Sequence, residues 1–236
     1  MKMNDLKEKI LQGTSKSLRT IGIDKLKEII RVSDKERREH ALLFCSDKDI
    51  PPFGDISHSD LCAGTECRVI LKDCINAKAA KAVEKQIGTF HTHVNHHINK
   101  EKDKFLGNLS KEDIYSSISN RRRFSCLGLT EKQKPIIKCF IPEFDIDPTI
   151  TMKSFIAQDN YYKKLTEYLT EYNISEYKPD GTKKSLDELL KELPQDKRTV
   201  LSNTYDRYIK ADDELYKESE SLSKKLLHKD ADIIIR

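Results

Sequence analysis

The chain has 236 residues, of which 37% are hydrophobic and 35% charged, and only 8 are glycine. This length and composition exclude a disulfide-stapled miniprotein, a collagen-like chain and a Gly/Ser-rich disordered chain. The net charge of +4 is too small to predict nucleic-acid binding. Because the sequence has no apolar run of about 18 residues and no apolar signal-peptide core near Met1, we expect a cytoplasmic protein without a membrane anchor.

The six cysteines are expected to be mostly reduced in such a protein. Three of them lie in apolar runs that predict buried strands, namely Cys45, Cys126 and Cys139. The other three, Cys62, Cys67 and Cys74, lack the Cys-x-x-Cys pairs of a zinc ribbon. Their spacing leaves open whether they bind a second metal or form a disulfide, which would require an oxidising or hyperthermophilic setting.

Helical spacing of apolar residues predicts one or two amphipathic helices over residues 4–32, with a break near Gly22. Residues 41–45 predict a first strand. Residues 50–65 are predicted to form a loop because Pro51 and Pro52 cannot continue a strand ladder. A second strand is predicted at residues 67–71.

Residues 88–93 predict a strand that carries His91 and His93. Ser110 is predicted to cap a helix, and the apolar runs 124–129 and 136–141 predict a hairpin. Beyond residue 150 the apolar spacing predicts two helices, around 161–172 and 201–226, that pack as a helical hairpin across a loop at 177–182. The predicted fold is α/β (α+β), a mixed β-sheet flanked by helices and followed by this hairpin.

The histidines indicate a metal site. Side chains two apart on a strand lie on the same side of the sheet, so His91 and His93 could hold one cation. Asp113, in the first turn of the next helix, is the preferred third ligand because Ser110 precedes it; Asp103, His96 and His97 are alternatives. Two imidazoles and one carboxylate leave one tetrahedral position open, which is typical of a catalytic zinc.

Three segments carry a resemblance to a known family: Glu39 before the first apolar strand, His91-Thr92-His93, and Ser110-Lys111-Glu112-Asp113. In this order they resemble the MPN/JAB-like family of JAMM zinc metalloproteases over roughly residues 25–145. Two features depart from the family pattern. Val94 stands where the family usually has Pro or a small residue, and nineteen residues, 94–112, precede Asp113 instead of about ten.

The resemblance implies one Zn²⁺ per chain bound by His91, His93 and Asp113. It implies Glu39 as general base, with Glu36 and Glu66 as alternatives, and Ser110 as a donor to the oxyanion. The implied substrate is a peptide or isopeptide bond at the C-terminus of a ubiquitin-like protein.

The corresponding domain division is an N-terminal helical segment 1–24, an MPN/JAB-like metalloprotease domain 25–148 and an α-helical extension 149–236. We expect that extension to bind a partner protein or to form an oligomer. A non-catalytic scaffold of the same fold is the alternative function. A relation to bacterial DNA-repair-associated proteins is disfavoured, because those show His-Asn-His-Pro where this chain has His91-Thr92-His93-Val94.

Overall fold

The structure is a computed structural model that describes residues 3–48, 50–64, 85–94, 109–226 and 230–236. The α-helices in this part of the chain are α1 (Met3–Ile21), α2 (Ile23–Glu36), α3 (Lys111–Ser119), α4 (Pro148–Glu171), α5 (Leu186–Glu192) and α6 (Gln195–Leu226). The strands are β1 (His40–Ser46), β2 (Ile56–His58), β3 (Cys62–Ala63), β4 (Lys85–Thr92), β5 (Phe124–Glu131), β6 (Lys134–Phe140) and β7 (Ile233–Ile235).

The predicted break in the N-terminal helices is confirmed at Gly22, which has a φ of 94°. Glycine adopts this left-handed region without steric cost, so the chain can end α1 at Ile21 and begin α2 at Ile23. The apolar stripes of both helices are buried; Ile10, Leu18, Leu26 and Ile30 have no exposed surface. The N-terminal helices therefore contribute to the main hydrophobic core.

The seven strands form one mixed sheet in the order β2-β1-β4-β5-β6-β7, with β3 also paired to β1. The pair β4–β5 is parallel, and the neighbouring pairs β1–β4, β5–β6 and β6–β7 are antiparallel. The mixed sheet and the hairpin of β5 and β6 confirm the predicted α/β class and these predicted strands. The predicted second strand at 67–71 lies outside the described residues.

The prediction of a loop over residues 50–65 is wrong in part. Ile56–His58 pairs with the end of β1, and Cys62–Ala63 pairs with its beginning. These two- and three-residue strands form because the edge of β1 has unpaired backbone groups to which they can hydrogen-bond. They are too short to show the alternation of apolar and polar residues that predicts a strand from sequence.

The two faces of the sheet have different environments, because alternate residues of a strand point to opposite faces. Leu42 and Phe90 are register partners on the face that α1 and α2 cover, where they join the main core. The partners Thr89 and Ser125 lie on the opposite face and share a 2.8 Å hydrogen bond between their hydroxyls. His91, two residues after Thr89, shares this second face.

The expectation of mostly reduced cysteines is wrong for three of the described residues, Cys62, Cys126 and Cys139. Cys126 and Cys139 form a disulfide, because the register of β5 and β6 places them opposite each other with their Cα atoms 4.0 Å apart. Both are buried as predicted, and so is Cys45. Cys62 is also disulfide-bonded, whereas Cys67 and Cys74 lie outside the described residues. The cytoplasmic location stays a prediction.

The chain forms two compact units, Met1–Ile146 with Glu218–Arg236, and Asp147–Lys217. The predicted extension 149–236 is not helical throughout, because Ile233–Ile235 forms β7 at the edge of the sheet beside β6. Three consecutive β-branched residues favour a strand, and Ile233 and Ile235 pack against the main core.

The second unit contains the predicted helices, α4 and most of α6, with the short α5 between them. Its core is formed by Tyr161, Leu165, Tyr168, Leu169, Leu189, Leu193 and Leu201. Ring contacts between Tyr161 and both Tyr205 and Tyr208 join α4 to α6. In the part of the chain that is described, every helix lacks the length or the apolar character needed to cross a bilayer.

Asp232 attaches the C-terminal segment to the first unit. Its carboxylate accepts a 2.9 Å hydrogen bond from the backbone N–H of Ile141 and forms a 2.7 Å ion pair with Lys7. We expect Asp232→Ala to lower the free energy of unfolding by about 1–3 kcal/mol, because the buried N–H of Ile141 loses its acceptor.

Urea denaturation of the variant measures this loss, and Asp230→Ala is the matched control. Asp230 is exposed, so its substitution should change stability by less than about 0.5 kcal/mol. Equal stabilities of the two variants would contradict the role of Asp232.

Candidate metal site

The predicted ligands converge on one face of the sheet. His91 lies near the end of β4, and His93 follows that strand, where its backbone N–H donates to the carbonyl of Gly128 on β5 at 2.9 Å. This hydrogen bond continues the parallel ladder past the end of β4, so both imidazoles point to the same side. The next described helix, α3, brings Asp113 to them.

The ligand atoms are close enough to share one ion. The Nε2 atoms of His91 and His93 are 3.2 Å apart. Asp113 places Oδ1 3.5 Å from Nε2 of His91 and Oδ2 3.9 Å from Nε2 of His93. These three residues form a group able to hold a metal, in which the ligand atoms all lie within 4.8 Å of one another.

Ser110 fixes the carboxylate of Asp113 through a capping box at the start of α3. The Ser110 hydroxyl donates to Oδ2 of Asp113 at 2.8 Å, and it accepts from the Asp113 backbone N–H at 3.1 Å. The backbone N–H of Ser110 donates to the same Oδ2 at 2.9 Å. One turn of helix therefore orients the carboxylate towards the histidines while satisfying its own N-terminal N–H groups.

The turn after α2 places Glu39 on this face of the sheet. Arg37 ends that helix in the left-handed conformation, with a φ of 55°, and β1 begins three residues later. Ala41 is the register partner of His91. Because Glu39 is two residues before Ala41, it lies on the same face as His91.

The environment of Glu39 favours a protonated carboxyl. Burial raises its pKa to about 7, the positive charge of His91 opposes this rise, and the negative charge of Asp113 adds to it. The residue is only 9% exposed. Near neutral pH, Glu39 is thus able both to accept and to donate a proton.

His91 and Asp113 stabilise each other's charged forms. Burial by itself lowers the pKa of His91, but the charges of Asp113 and Glu39 and the Asp113 hydrogen bond raise it above its usual value. Burial acts to raise the pKa of Asp113, and the two histidines and Ser110 together hold it well below its usual range. The face therefore keeps Asp113 anionic and able to bind a cation.

A buried polar network lies behind the histidines. Thr92 points to the α2 side of the sheet, where its hydroxyl contacts the hydroxyl of Ser33 at 2.7 Å and accepts from the backbone N–H of His40 at 2.8 Å. Ser33 also contacts Nδ1 of His40 at 2.8 Å. These contacts join α2, β1 and β4 at the residues adjacent to Glu39 and the histidines.

The structure brings together His91, His93, Asp113 and Ser110 directly, and Glu39 through the strand register. Glu36, the second candidate for the base, has a side chain that is 49% exposed and 3.8 Å from His40, on the opposite face. The Ser33–Thr92–His40 network escaped the sequence analysis, and its only signal was polar residues within apolar helical and strand patterns. Four further candidates from the sequence lie outside the described residues: Glu66, His96, His97 and Asp103.

The spacing of the donor atoms can be compared with that of a tetrahedral zinc site. Ligand atoms at about 2.0–2.1 Å from a tetrahedral ion lie about 3.4 Å from one another. The separations of 3.2 Å between the two imidazole nitrogens and of 3.5 Å between His91 and Oδ1 of Asp113 are close to this value. The 3.9 Å separation from His93 is to the other carboxylate oxygen, Oδ2. Two imidazole nitrogens and one carboxylate oxygen match three-ligand catalytic zinc sites, which keep a fourth position for water or substrate.

No family model, curated protein or solved structure matches the chain. The resemblance to JAMM metalloproteases therefore rests on the motif residues alone and stays a prediction.

Two serines with the same local structure allow the effect of helix capping to be distinguished from an effect on metal binding. Ser110 caps α3 and Ser185 caps α5, each through a capping box. We expect Ser110→Ala and Ser185→Ala each to lose about 1 kcal/mol of stability. Only Ser110→Ala should also weaken zinc binding, by about 10- to 100-fold, because it removes a hydrogen bond that orients Asp113.

Competition with a chromogenic chelator gives the zinc affinity of both variants. An unchanged affinity in Ser110→Ala would show that the capping box does not support the metal site.

The raised pKa of Glu39 predicts an unusual stability profile for the metal-free protein. A carboxyl whose folded pKa is raised stabilises the folded state fully below its unfolded pKa, near 4.5, and this stability is lost as the pH rises through about 7. A glutamine side chain at this position cannot ionise. Glu39→Gln should therefore be more stable than the wild type at pH 8, by up to about 3 kcal/mol, with a much smaller difference at pH 5.

Urea denaturation with EDTA at both pH values measures this effect. Glu28→Gln, at an exposed position of α2, is the control for the loss of a carboxylate outside the buried site. A difference between wild type and Glu39→Gln that is the same at pH 5 and pH 8 would refute the burial effect.

Proposed function

We propose that the protein is a zinc-dependent hydrolase of the JAMM type that cleaves a peptide or isopeptide bond. The observation that carries this proposal is the convergence of His91, His93 and Asp113 on one face of the sheet that also holds a buried glutamate. Bound there, a divalent metal supplies Lewis-acid chemistry that makes water acidic near neutral pH and polarises a carbonyl. His91, His93 and Asp113 would hold it.

Glu39 performs the proton transfers. Its carboxylate accepts a proton from the attacking water, and the resulting carboxylic acid returns that proton to the leaving amine. Burial, which raises the pKa of Glu39 in the metal-free protein, favours this second step. A glutamate with an ordinary pKa would be a poor acid for the second step at neutral pH. Burial thus supports both steps with one side chain.

Ser110 has a positioning role in this arrangement, since its hydroxyl proton is donated to Asp113. Donation to an oxyanion, the role that the family resemblance implies, requires that hydroxyl to turn away from Asp113. The backbone N–H of Ser110 also donates to Asp113 and keeps the carboxylate in place during such a turn.

The substrate that we propose is the C-terminus of a ubiquitin-like protein, linked to an amine. This part of the proposal comes from the order of Glu39, His91-Thr92-His93 and Ser110-x-x-Asp113, the pattern of enzymes that act on such bonds. Amide hydrolysis needs both an activated water and an acid for the leaving amine, and the proposed site supplies the two.

Elemental analysis and a cleavage assay on the same preparations test the proposal. The wild type should contain one zinc per chain and release a fluorescent amine from the C-terminus of at least one of a panel of ubiquitin-like proteins. Glu39→Gln should keep its zinc and lose about 10²–10⁴-fold in kcat, because the general base is removed and the ligands are not. Asp113→Asn should lose zinc and activity together.

Glu112→Gln is the matched control, since it changes the neighbouring carboxylate of the same helical turn and should retain both zinc and activity. A folded wild type that binds no zinc would exclude the hydrolase and favour the non-catalytic scaffold. Full activity in Glu39→Gln would exclude Glu39 as the base.

A further inference from the structure

The second unit contains a groove that the metal site does not use. It lies between α4 and α6 and has a volume of about 790 Å³. The two helices are antiparallel: Lys153 near the start of α4 pairs with Glu214, and Tyr161 further along contacts the earlier residue Tyr205 of α6. The groove is lined on α4 by residues between Thr149 and Lys164 and on α6 by residues between Thr204 and Ala211.

The floor of the groove is apolar and exposed. Met152 and Ile156 lie one turn apart on α4, and their exposed fractions are 54% and 55%. Neither belongs to the core of this unit, which uses a different stripe of the same helix, formed by Tyr161, Leu165 and Leu169. α4 therefore has two apolar stripes, and only one is buried within its own unit.

The walls of the groove are basic. Lys153, Lys163, Lys164, Arg207 and Lys210 line it, and among the described residues no aspartate or glutamate does. Lys153 and Lys164 form ion pairs with Glu214 and Glu167, respectively. The lysines around them hold the pKa values of these two glutamates below the ordinary value. The described lining itself carries five basic side chains and no carboxylate, so it attracts negative charge.

We propose that this groove binds an acidic amphipathic helix of a partner protein. Apolar residues on one face of such a helix would contact Met152 and Ile156, and its acidic flanks would meet the basic walls. This is helix-in-groove recognition, in which one apolar stripe supplies the anchors. The lining from Thr149 to Lys164 extends along about 22 Å of α4, the length of a helix of about 15 residues.

The distribution of the positive charges favours a peptide over a small anionic amphiphile. Lys153 lies near one end of the α4 wall, Lys163 and Lys164 lie at the other, and Arg207 and Lys210 lie on the α6 wall. A single carboxylate head group needs its cations at one end of an apolar slot. Cations along both walls match a ligand that carries several carboxylates along its length.

Fluorescence anisotropy with the full-length protein and three synthetic peptides tests the proposal. The probe is a 16-residue peptide in which leucines recur at i, i+3, i+4 and i+7 along one helical face. Glutamates lie on both sides of that face. One control peptide has the same composition in scrambled order, and another has lysine in place of glutamate. We expect the probe to bind at least tenfold more tightly than either control, with an affinity that falls as salt is added.

Variants locate the binding site. Arg207→Glu combined with Lys210→Glu reverses the charge of one wall, and Ile156→Gln removes an apolar contact at an exposed position where the fold tolerates a polar side chain. Each should weaken probe binding at least tenfold. Lys191→Glu changes an exposed lysine of α5 outside the groove and should leave binding unchanged. Circular dichroism confirms that each variant is folded.

The proposal is overturned if the scrambled peptide binds as tightly as the probe, or if Lys191→Glu weakens binding as much as the groove variants. Failure of all three peptides to bind also overturns it. Dodecanoate is added as a separate probe: if it binds in the groove and the acidic peptide does not, the site belongs to a small amphiphile.

Discussion

The antiparallel pairing of β1 with β4 is the constraint on which the site depends. It places Ala41 opposite His91, so that the residue before β1 and the two histidines at the end of β4 share one face. A shift of this register by one residue would move Glu39 to the α2 side and separate it from the metal ligands. The pairing is held by the core packing of Leu42 and Phe90 on the other face, so the hydrophobic core fixes the polar site.

The two faces of this strand pair are coupled through polar side chains. Thr92 separates the two histidines in sequence and bonds behind the sheet to Ser33 and to the backbone of His40. Ser33 is on the last turns of α2, whose end also determines where Glu39 enters the sheet. The buried hydroxyls therefore connect the helix that positions the base with the strand that positions the ligands, and buried networks of this kind specify one arrangement when their members are satisfied.

The burial of Glu39 beside Asp113 lowers the stability of the folded chain and favours proton transfer by Glu39. Glu39 loses solvation when the chain folds, and its neighbour Asp113 adds repulsion, so the carboxylate form is unfavourable. A cation held by His91, His93 and Asp113 would relieve that repulsion, because it brings positive charge to a face with two carboxyl groups.

Local patterns in the chain were enough to predict the amphipathic helices, the β5–β6 hairpin, the Ser110 cap and two histidines on one side of a strand, because periodicity and capping act over a few residues. Strand partners and register instead arise from the packing of the whole core. The sequence of a short strand does not show which other strand it pairs with. The pairing of β2, β3 and β7 and the disulfide between Cys126 and Cys139 therefore emerged only in the folded chain. The pKa of Glu39 belongs with them, because burial and the charge of Asp113 reach that carboxyl only after β1, β4 and α3 have come together.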